Sequence, residues 1–308
     1  MNNTLFIQKK HSVSENRVSG LTNLLLNMFF IACAVLCIYP ILLVVGISFT
    51  DNDALRQYGY KIIPSVFSTD GYAYAFSAAG SILRSYGITI FNTVAGTVIH
   101  VLVCALFAYP MARPEFKSRK FFMGFLLIPM LFNGGMVPWY VICTQVLGLR
   151  NTIWAMILPM VISPWNVIVL KTFINRNIPD SLIESARLEG CSEFRVFWNI
   201  VLPLSKAGLA TIAFFSALAY WNDYWHSLML ITDESLYSLQ YLLYNIMAKT
   251  QFLSSLAART AGIQSVGVIP AETARMAMCV LSIGPIVIVY PYFQRFFVKG
   301  IMVGSIKG

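Results

Sequence analysis

Charge is what this sequence has least of. Asp, Glu, Lys and Arg make up 11% of its 308 residues, against about a quarter in a soluble globular domain. Hydrophobic residues make up 57% and the mean hydropathy is +0.69. So much apolar surface cannot be hidden from water inside one fold, which points to an all-α integral membrane protein. Other absences narrow the chemistry. There is no GxxxxGK[ST] phosphate loop, so the chain cannot bind ATP through that motif. Three histidines are present and no two cysteines form a CxxC pair. Cys33, Cys37, Cys104, Cys143, Cys191 and Cys279 fall mostly in apolar runs and read as small buried hydrophobes, with no metal site indicated. No small-residue cleavage site follows the first apolar run, which is longer than the roughly 7–15-residue core of a signal peptide, so that run is expected to remain as an anchor. The net charge of +9 is scattered at the ends of apolar runs rather than gathered in a stripe. That pattern suits membrane topology and membrane lipid, and it argues against nucleic acid.

What is present is a series of apolar runs, each near the roughly 20 residues needed to cross a bilayer. They predict six spans, at about 21–48, 86–112, 121–141, 151–174, 207–230 and 273–293, within a permease domain covering 21–300. A polar loop is expected over 49–85, a long Ser-, Thr-, Ala- and Gly-rich loop over 231–273, and cytoplasmic tails at 1–20 and 301–308. An even span count puts both termini on one side. With the termini inside, 15 of the 22 Lys and Arg lie on inner segments and 7 on outer ones, the bias of the positive-inside rule. The dense hairpin Arg113–Lys120 contributes most to it.

This orientation places a charged island, the loop 175–206, in the cytoplasm. Pro179 suits the first turn of a helix, and Asp180 and Glu184 favour its N-terminal end. Leu182, Ile183 and Ala186 give it a small apolar face. Gly190 is placed to stop the helix in a left-handed conformation, and Ser192 to cap a second one. There Phe194, Phe197, Trp198 and Val201 recur at helical spacing. The residues alone describe two short helices at a glycine elbow, which is equally compatible with a surface hairpin that merely joins spans four and five.

The pattern Glu184-Ser185-Ala186, three residues, Gly190, nine residues, Ile200, one residue, Leu202-Pro203 resembles the EAA loop of binding-protein-dependent ABC importer permeases. Ser185 stands where that family usually has Ala. Trp221-Asn222-Asp223-Tyr224 and the ending Gln294-Arg295-Phe296-Phe297-Val298-Lys299-Gly300 resemble the smaller, six-span subunit of maltose-transporter-type carbohydrate permeases. Phe132-Asn133-Gly134-Gly135-Met136-Val137-Pro138-Trp139-Tyr140 is similar to a subgroup of Gram-positive permeases for complex oligosaccharides. The resemblance implies a type I ABC importer permease in the bacterial cytoplasmic membrane, importing a carbohydrate by alternating access and catalysing no covalent chemistry. It implies a second homologous permease, an extracellular solute-binding protein and a cytoplasmic ATPase dimer that carries the ATP and Mg; this chain would bind no cofactor. The loop becomes a coupling helix, with Glu184 contacting the ATPase, Gly190 turning the chain, and Ala186 and Leu188 packing in the ATPase cleft.

Breaks inside spans mark candidate parts of a transport pathway. They are Asn133-Gly134-Gly135 and the pair Pro159 and Pro164, although ordinary kinks packed on neighbouring helices fit the same residues. Trp221, Asn222, Asp223 and Tyr224 are candidate sugar contacts, because aromatic faces, amides and carboxylates match the C–H faces and hydroxyls of a sugar. Asp223 is 17 residues beyond Lys206, about 26 Å along a helix, which places it in the outer half of the membrane. An interfacial aromatic belt is the plainer reading. Importers of other solutes share the architecture. A membrane enzyme or ion-driven carrier would need paired intramembrane acids or a nucleophile constellation, and only Asp223 and His226 lie together.

Overall fold

The computed structural model describes residues 20–76, 79–259 and 271–305. Among these the regular structure is helical, with one isolated bridge between Thr50 and Phe67. The N-terminal tail expected over 1–20 lies outside them but for Gly20, as do 306–308 of the C-terminal tail.

Three helices are long and apolar enough to cross a membrane unbroken. They are α1 (Gly20–Ser48), α4 (Ala79–Ala112), apolar from Ser81, and α14 (Ala271–Ser305), apolar over Glu272–Pro291. Between α1 and α4 lie two short helices, α2 (Asn52–Tyr58), capped by the Asp51 carboxylate, and α3 (Asp70–Phe76). Three further apolar segments are bent pairs. Helix α5 (Arg119–Leu131) meets Met136–Val146, which opens as α6 (Met136–Val141), at 116°. The turns Ile153–Met160 meet α7 (Pro164–Asn177) at 51°. After α8 (Asp180–Leu188), the segment Glu193–Leu204 meets α11 (Lys206–Trp221) at 79°. It holds α9 (Glu193–Val196), a π-helical stretch Phe197–Val201 and α10 (Leu202–Leu204). Then come α12 (Trp225–Leu230) and α13 (Leu239–Arg259).

Several expectations change. Helix α4 begins at Ala79, seven residues before the expected start at 86. The expected fifth span ends as α11 at Trp221 and resumes as α12, so Asp223 sits in a break and not in a helix. The expected loop over 231–273 contains the helix α13 over Leu239–Arg259, and its residues 260–270 lie outside the described ones. Its Ser, Thr and Ala content hid the stripe Leu239, Leu242, Leu243, Ile246 and Met247, which is spaced for a helix; its three leucines are buried. Cys104 and Cys143 are buried, but Cys33 and Cys37 are exposed on α1, whose apolar surface needs lipid or another chain for cover.

Two buried clusters stack along α4. One gathers the α4 segment Cys104–Ala112, Leu126, Val167, Leu170, Ile174, Ile183, Val196, Phe197, Val201 and Ile212. The other gathers Ile82, Met156, Trp221, Leu230, Leu239, Ala274 and Met278. Between them α4 and α11 approach closely: a Cβ on Gly96 would lie 2.6 Å from the Tyr220 ring. Small residues allow such contact where water provides no hydrophobic drive.

The kinks are patched. The Met160 carbonyl ends a helical turn just before the break at 161–163, and Pro164, which opens α7, has no N–H to offer it. That carbonyl instead meets the His100 Nδ1 of α4 at 3.0 Å. The other ring nitrogen faces the Asn166 Nδ2 at 2.9 Å, so the Nδ1–H tautomer satisfies both contacts. Pro285 likewise orphans Leu281, whose carbonyl accepts from the Tyr86 hydroxyl, also on α4, at 2.6 Å. The Ser282 carbonyl accepts the Trp221 indole N–H at 3.1 Å, and the Ile157 carbonyl accepts the Tyr220 hydroxyl at 3.0 Å. Neighbouring helices thus supply donors around the breaks and proline turns. Tyr86→Phe removes only the hydroxyl and should lower stability in detergent by about 0.5–2 kcal/mol. Gly87→Ala, one residue on, has open space around the new methyl and should be neutral or better. Thermal unfolding of the two variants side by side checks this.

Candidate functional site

At the elbow between α8 and α9 the sequence reads out locally. Gly190 has φ +80°, a conformation a side chain would strain. Its N–H reaches the Arg187 carbonyl at 2.9 Å, and the Cys191 N–H reaches Ala186 at 3.0 Å, closing α8. The Ser192 hydroxyl accepts from the Arg195 N–H and starts α9. The apolar residues do not form one stripe. Ile183 and Ala186 of α8, with Phe197 and Val201, are buried in the chain's own core. Leu188 is 90% exposed, Phe194 68% and Trp198 43%. The π-helical stretch Phe197–Val201 adds a residue to the turn and separates Phe194 and Trp198 from Phe197 and Val201. Ala186, which the resemblance sends into a partner's cleft, is therefore mostly spent inside. Glu184, Ser185 and Pro203 are exposed, while Ile200 and Leu202 pack partly against the core.

Charge pairs fix this elbow to the end of α4. The Glu193 carboxylate accepts from the Tyr109 hydroxyl at 2.7 Å and the Arg187 Nε at 2.6 Å. Arg187 also meets Glu115 at 3.4 Å. The buried Arg113 donates to Asp180 at 2.8 Å and lies 3.7 Å from Glu115. The Glu115 carboxyl is held below the usual carboxylate range, first by its own backbone N–H and then by the two arginines. Arg187 is held above its usual range, chiefly by its hydrogen bond to Glu193. A depressed carboxyl stabilises the fold above its unfolded value and loses that contribution as the pH falls through the folded one. Sequence reading used Arg113 only as a topology marker; acids at 115, 180 and 193 beside arginines at 113 and 187 were the available signal.

At the opposite end, the four aromatic-cluster residues separate in role. Trp221, 8% exposed, spends its indole N–H on Ser282. Asp223 accepts from the His226 ring at 2.8 Å and its backbone N–H at 3.3 Å, which caps α12. Asn222 is exposed and turns its amide back to Leu218. Trp221 borders an apolar cavity of about 510 Å³ between α4, α11 and α14, and Tyr224 borders one with polar groups at its edge. Tyr224 stacks on Tyr244 of α13, with centroids 5.3 Å apart and 29° between planes. The two rings, Gln240 and Ser282 border a space of about 270 Å³, floored by Met247 and Met278. The Gln240 amide donates to the Ser282 hydroxyl at 2.6 Å. Gln240 and Tyr244 were missed because α13 was read as loop. Asn133, Gly134 and Gly135 are exposed, with the Asn133 side chain accepting from the Gly135 N–H and Gly135 at φ +88°. Their turn carries Trp139 onto Trp225, 4.5 Å between centroids. Among the described residues no group of three His, Cys, Asp or Glu is arranged to hold a metal.

Glu193→Gln should loosen the elbow. Because the pair is half-exposed, the expected effect is modest: about three- to ten-fold faster amide exchange over 180–204, with the spans unchanged. Hydrogen–deuterium exchange of the assembled protein measures it.

Residues 102–303 match the family described as binding-protein-dependent transport system inner membrane component. Protein LplC of Bacillus subtilis is 38% identical, over 98% of this chain and 99% of that one. The polygalacturonan/rhamnogalacturonan transport system permease protein YtcP of the same organism is 35% identical, over 94% and 99%. A crystal structure of a bacterial ABC transporter involved in import of the acidic polysaccharide alginate includes a chain that superposes with a TM-score of 0.75 at 27% identity, covering 93% of this chain and 99% of that one. With more than half of its length inside the family and two relatives above 30% identity along nearly all of it, this chain belongs to the binding-protein-dependent inner membrane components, the non-catalytic, multi-pass permease subunits of ABC importers.

Proposed function

We propose that this chain is one of two permease subunits of an importer for an oligosaccharide, with six spans and both termini in the cytoplasm. A second, similar permease would complete the pathway. Two ATPase domains would dock inside, carrying the ATP and Mg, and a solute-binding protein would deliver sugar outside. Polysaccharide and oligosaccharide transport in the names of several relatives supports the substrate class.

One observation carries the coupling reading. The elbow 180–204 leaves Leu188, Phe194 and Trp198 exposed beside Glu184, while its other face is buried and ion-paired to α4. A loop that only joined two spans would have no need of a greasy outer face on a fixed base. A partner cleft lined by apolar groups and a cation would cover it. When ATP closes the ATPase dimer, the elbow moves with its cleft and pulls the inner end of α4. The spans then exchange inward- for outward-facing arrangements, and sugar enters from the binding protein. Glu184, Ser185 and Leu188 would meet the ATPase, Gly190 sets the angle, and Ile200, Leu202 and Pro203 join the elbow to α11. Gly190→Pro and Glu184→Lys should each abolish uptake and sugar-stimulated ATP hydrolysis while leaving membrane insertion intact. Normal uptake in both variants would remove the coupling role.

On the outer side, the Tyr224–Tyr244 pair with Gln240 and Ser282 supports a sugar contact. A ring face takes the C–H face of a pyranose, and the amide and hydroxyl take its hydroxyls. Asn133–Gly135 would act indirectly, by setting where Trp139 meets α12. Tyr244→Ala should raise the sugar concentration for half-maximal uptake by about three- to ten-fold, with ATP hydrolysis by the empty transporter unchanged. An importer for another solute class remains the alternative. If the cognate binding protein bound no neutral or acidic glycan in a calorimetric screen, the sugar reading would fall and the coupling reading would stand.

A further inference from the structure

Beside the elbow, where the apolar run of α4 stops at Ala112, lies a second space that the transport cycle above does not use. It occupies about 360 Å³ between the end of α4, the start of α5 and the end of α7. Arg119, Lys120 and Lys171 border it, with the Asn175 amide. No carboxylate does, and none of the three cations is ion-paired to a described residue. Three like charges facing one opening repel each other and leave an unmet demand for an anion. The neighbouring smaller space, which shares Arg119 and Asn175, is bordered by Asp180. There Asp180 is already paired with Arg113, so the cations of the two spaces without a carboxylate partner are those of the first cavity.

The rest of the cavity is apolar. Met111, Met123 and Leu127 form its wall. Along α5 the same face continues at helical spacing from Lys120 through Met123 and Gly124 to Leu127 and Leu131, the last two exposed. A Cβ at Gly124 would meet nothing within 4 Å, so the face has a shallow channel. A free phosphate needs the cations but not the channel, and an acidic protein side chain needs neither the channel nor three cations. A molecule with a phosphodiester on an alkyl chain uses both, and the site lies at the level where apolar helix gives way to basic hairpin. Basic pockets between spans at this level are lipid headgroup sites on general grounds.

We propose that this cavity binds the headgroup of an anionic phospholipid such as phosphatidylglycerol. Arg119, Lys120 and Lys171 hold the phosphate, and one acyl chain lies over Gly124 toward Leu131. The inference does not rest on the sugar or coupling readings.

The test uses the assembled transporter in nanodiscs containing phosphatidylglycerol and phosphatidylcholine, with retained lipid counted by native mass spectrometry after extraction. The wild type should retain phosphatidylglycerol selectively. So should Lys117→Gln, an exposed cation on the same hairpin outside the cavity. The triple variant Arg119→Gln, Lys120→Gln, Lys171→Gln should lose the preference, by about five-fold per cation removed. Gly124→Leu, which fills the channel, keeps every charge and suits a helix, should also lower retention. Three results would overturn the proposal. The triple variant could retain phosphatidylglycerol like the wild type. Inorganic phosphate could displace the lipid as readily as added phosphatidylglycerol, making this a free-phosphate site. Or lipid could enter only when the ATPase is stripped away, which would assign the cations to an acidic protein surface.

Discussion

A carbonyl that loses its helical partner inside hydrocarbon has no water to turn to, and leaving it bare costs several kcal/mol. Prolines inside or at the start of its helices leave such carbonyls repeatedly, so the arrangement of the helices follows from where replacement donors can come from. Two of the orphaned carbonyls, Met160 before Pro164 and Leu281 before Pro285, are both met from α4, by His100 and Tyr86. Helix α4 therefore runs through the middle of the bundle. Trp221 and Tyr220 of α11 add their donors from the adjoining side, where Gly96 lets the helices touch. The polar residues of the membrane interior, which could pass for a relay or a substrate site, are largely structural on this account. His100 has both ring nitrogens engaged, and Trp221 has no N–H left for a sugar.

Composition and run length made the class of the fold legible, since α1 and α14 are unmistakable as apolar runs and Arg113–Lys120 marks a hairpin. The turn and cap of the elbow were legible, because Gly190 and Ser192 act through local backbone geometry that sequence records directly, whereas the division of its apolar residues between two faces was not. What was hidden is non-local. Nothing near Trp221 in the chain announces Ser282, 61 positions away, as its partner. The break after Trp221 was masked because Asn222 and Asp223 read as polar residues inside a span that resumes as apolar at Leu228–Leu230, and run length cannot separate a bent segment from a straight one. Helix α13 was masked the other way: its small polar residues resembled a loop while its leucines kept helical time. Tyr244 and Gln240, the better-placed candidates for sugar contact, were lost with it.

The elbow shows how one short segment can serve two surfaces. Ile183, Ala186, Phe197 and Val201 belong to the inner core, whereas Leu188, Phe194 and Trp198 look outward. The π-helical stretch makes this division possible by displacing part of the second helix by one residue. The ion pairs reinforce it, since Tyr109 and Arg187 converge on Glu193 while Arg113 takes Asp180. In the proposed function a handle has to be both graspable and firmly fastened, and these two requirements are met by different residues on alternate faces.

Tyr86 and Tyr109 stand 23 residues apart on one helix, about 35 Å. The first holds the Leu281 carbonyl in the proline turn of α14 and the second holds Glu193 of the elbow. Both attachments are made to a single rod, with no loop between them to take up slack. The elbow and the proline turn of α14 are then two fittings on the same shaft. The spacing between them is set by a count of helical turns, and a rotation applied at one end is carried to the other as a rotation.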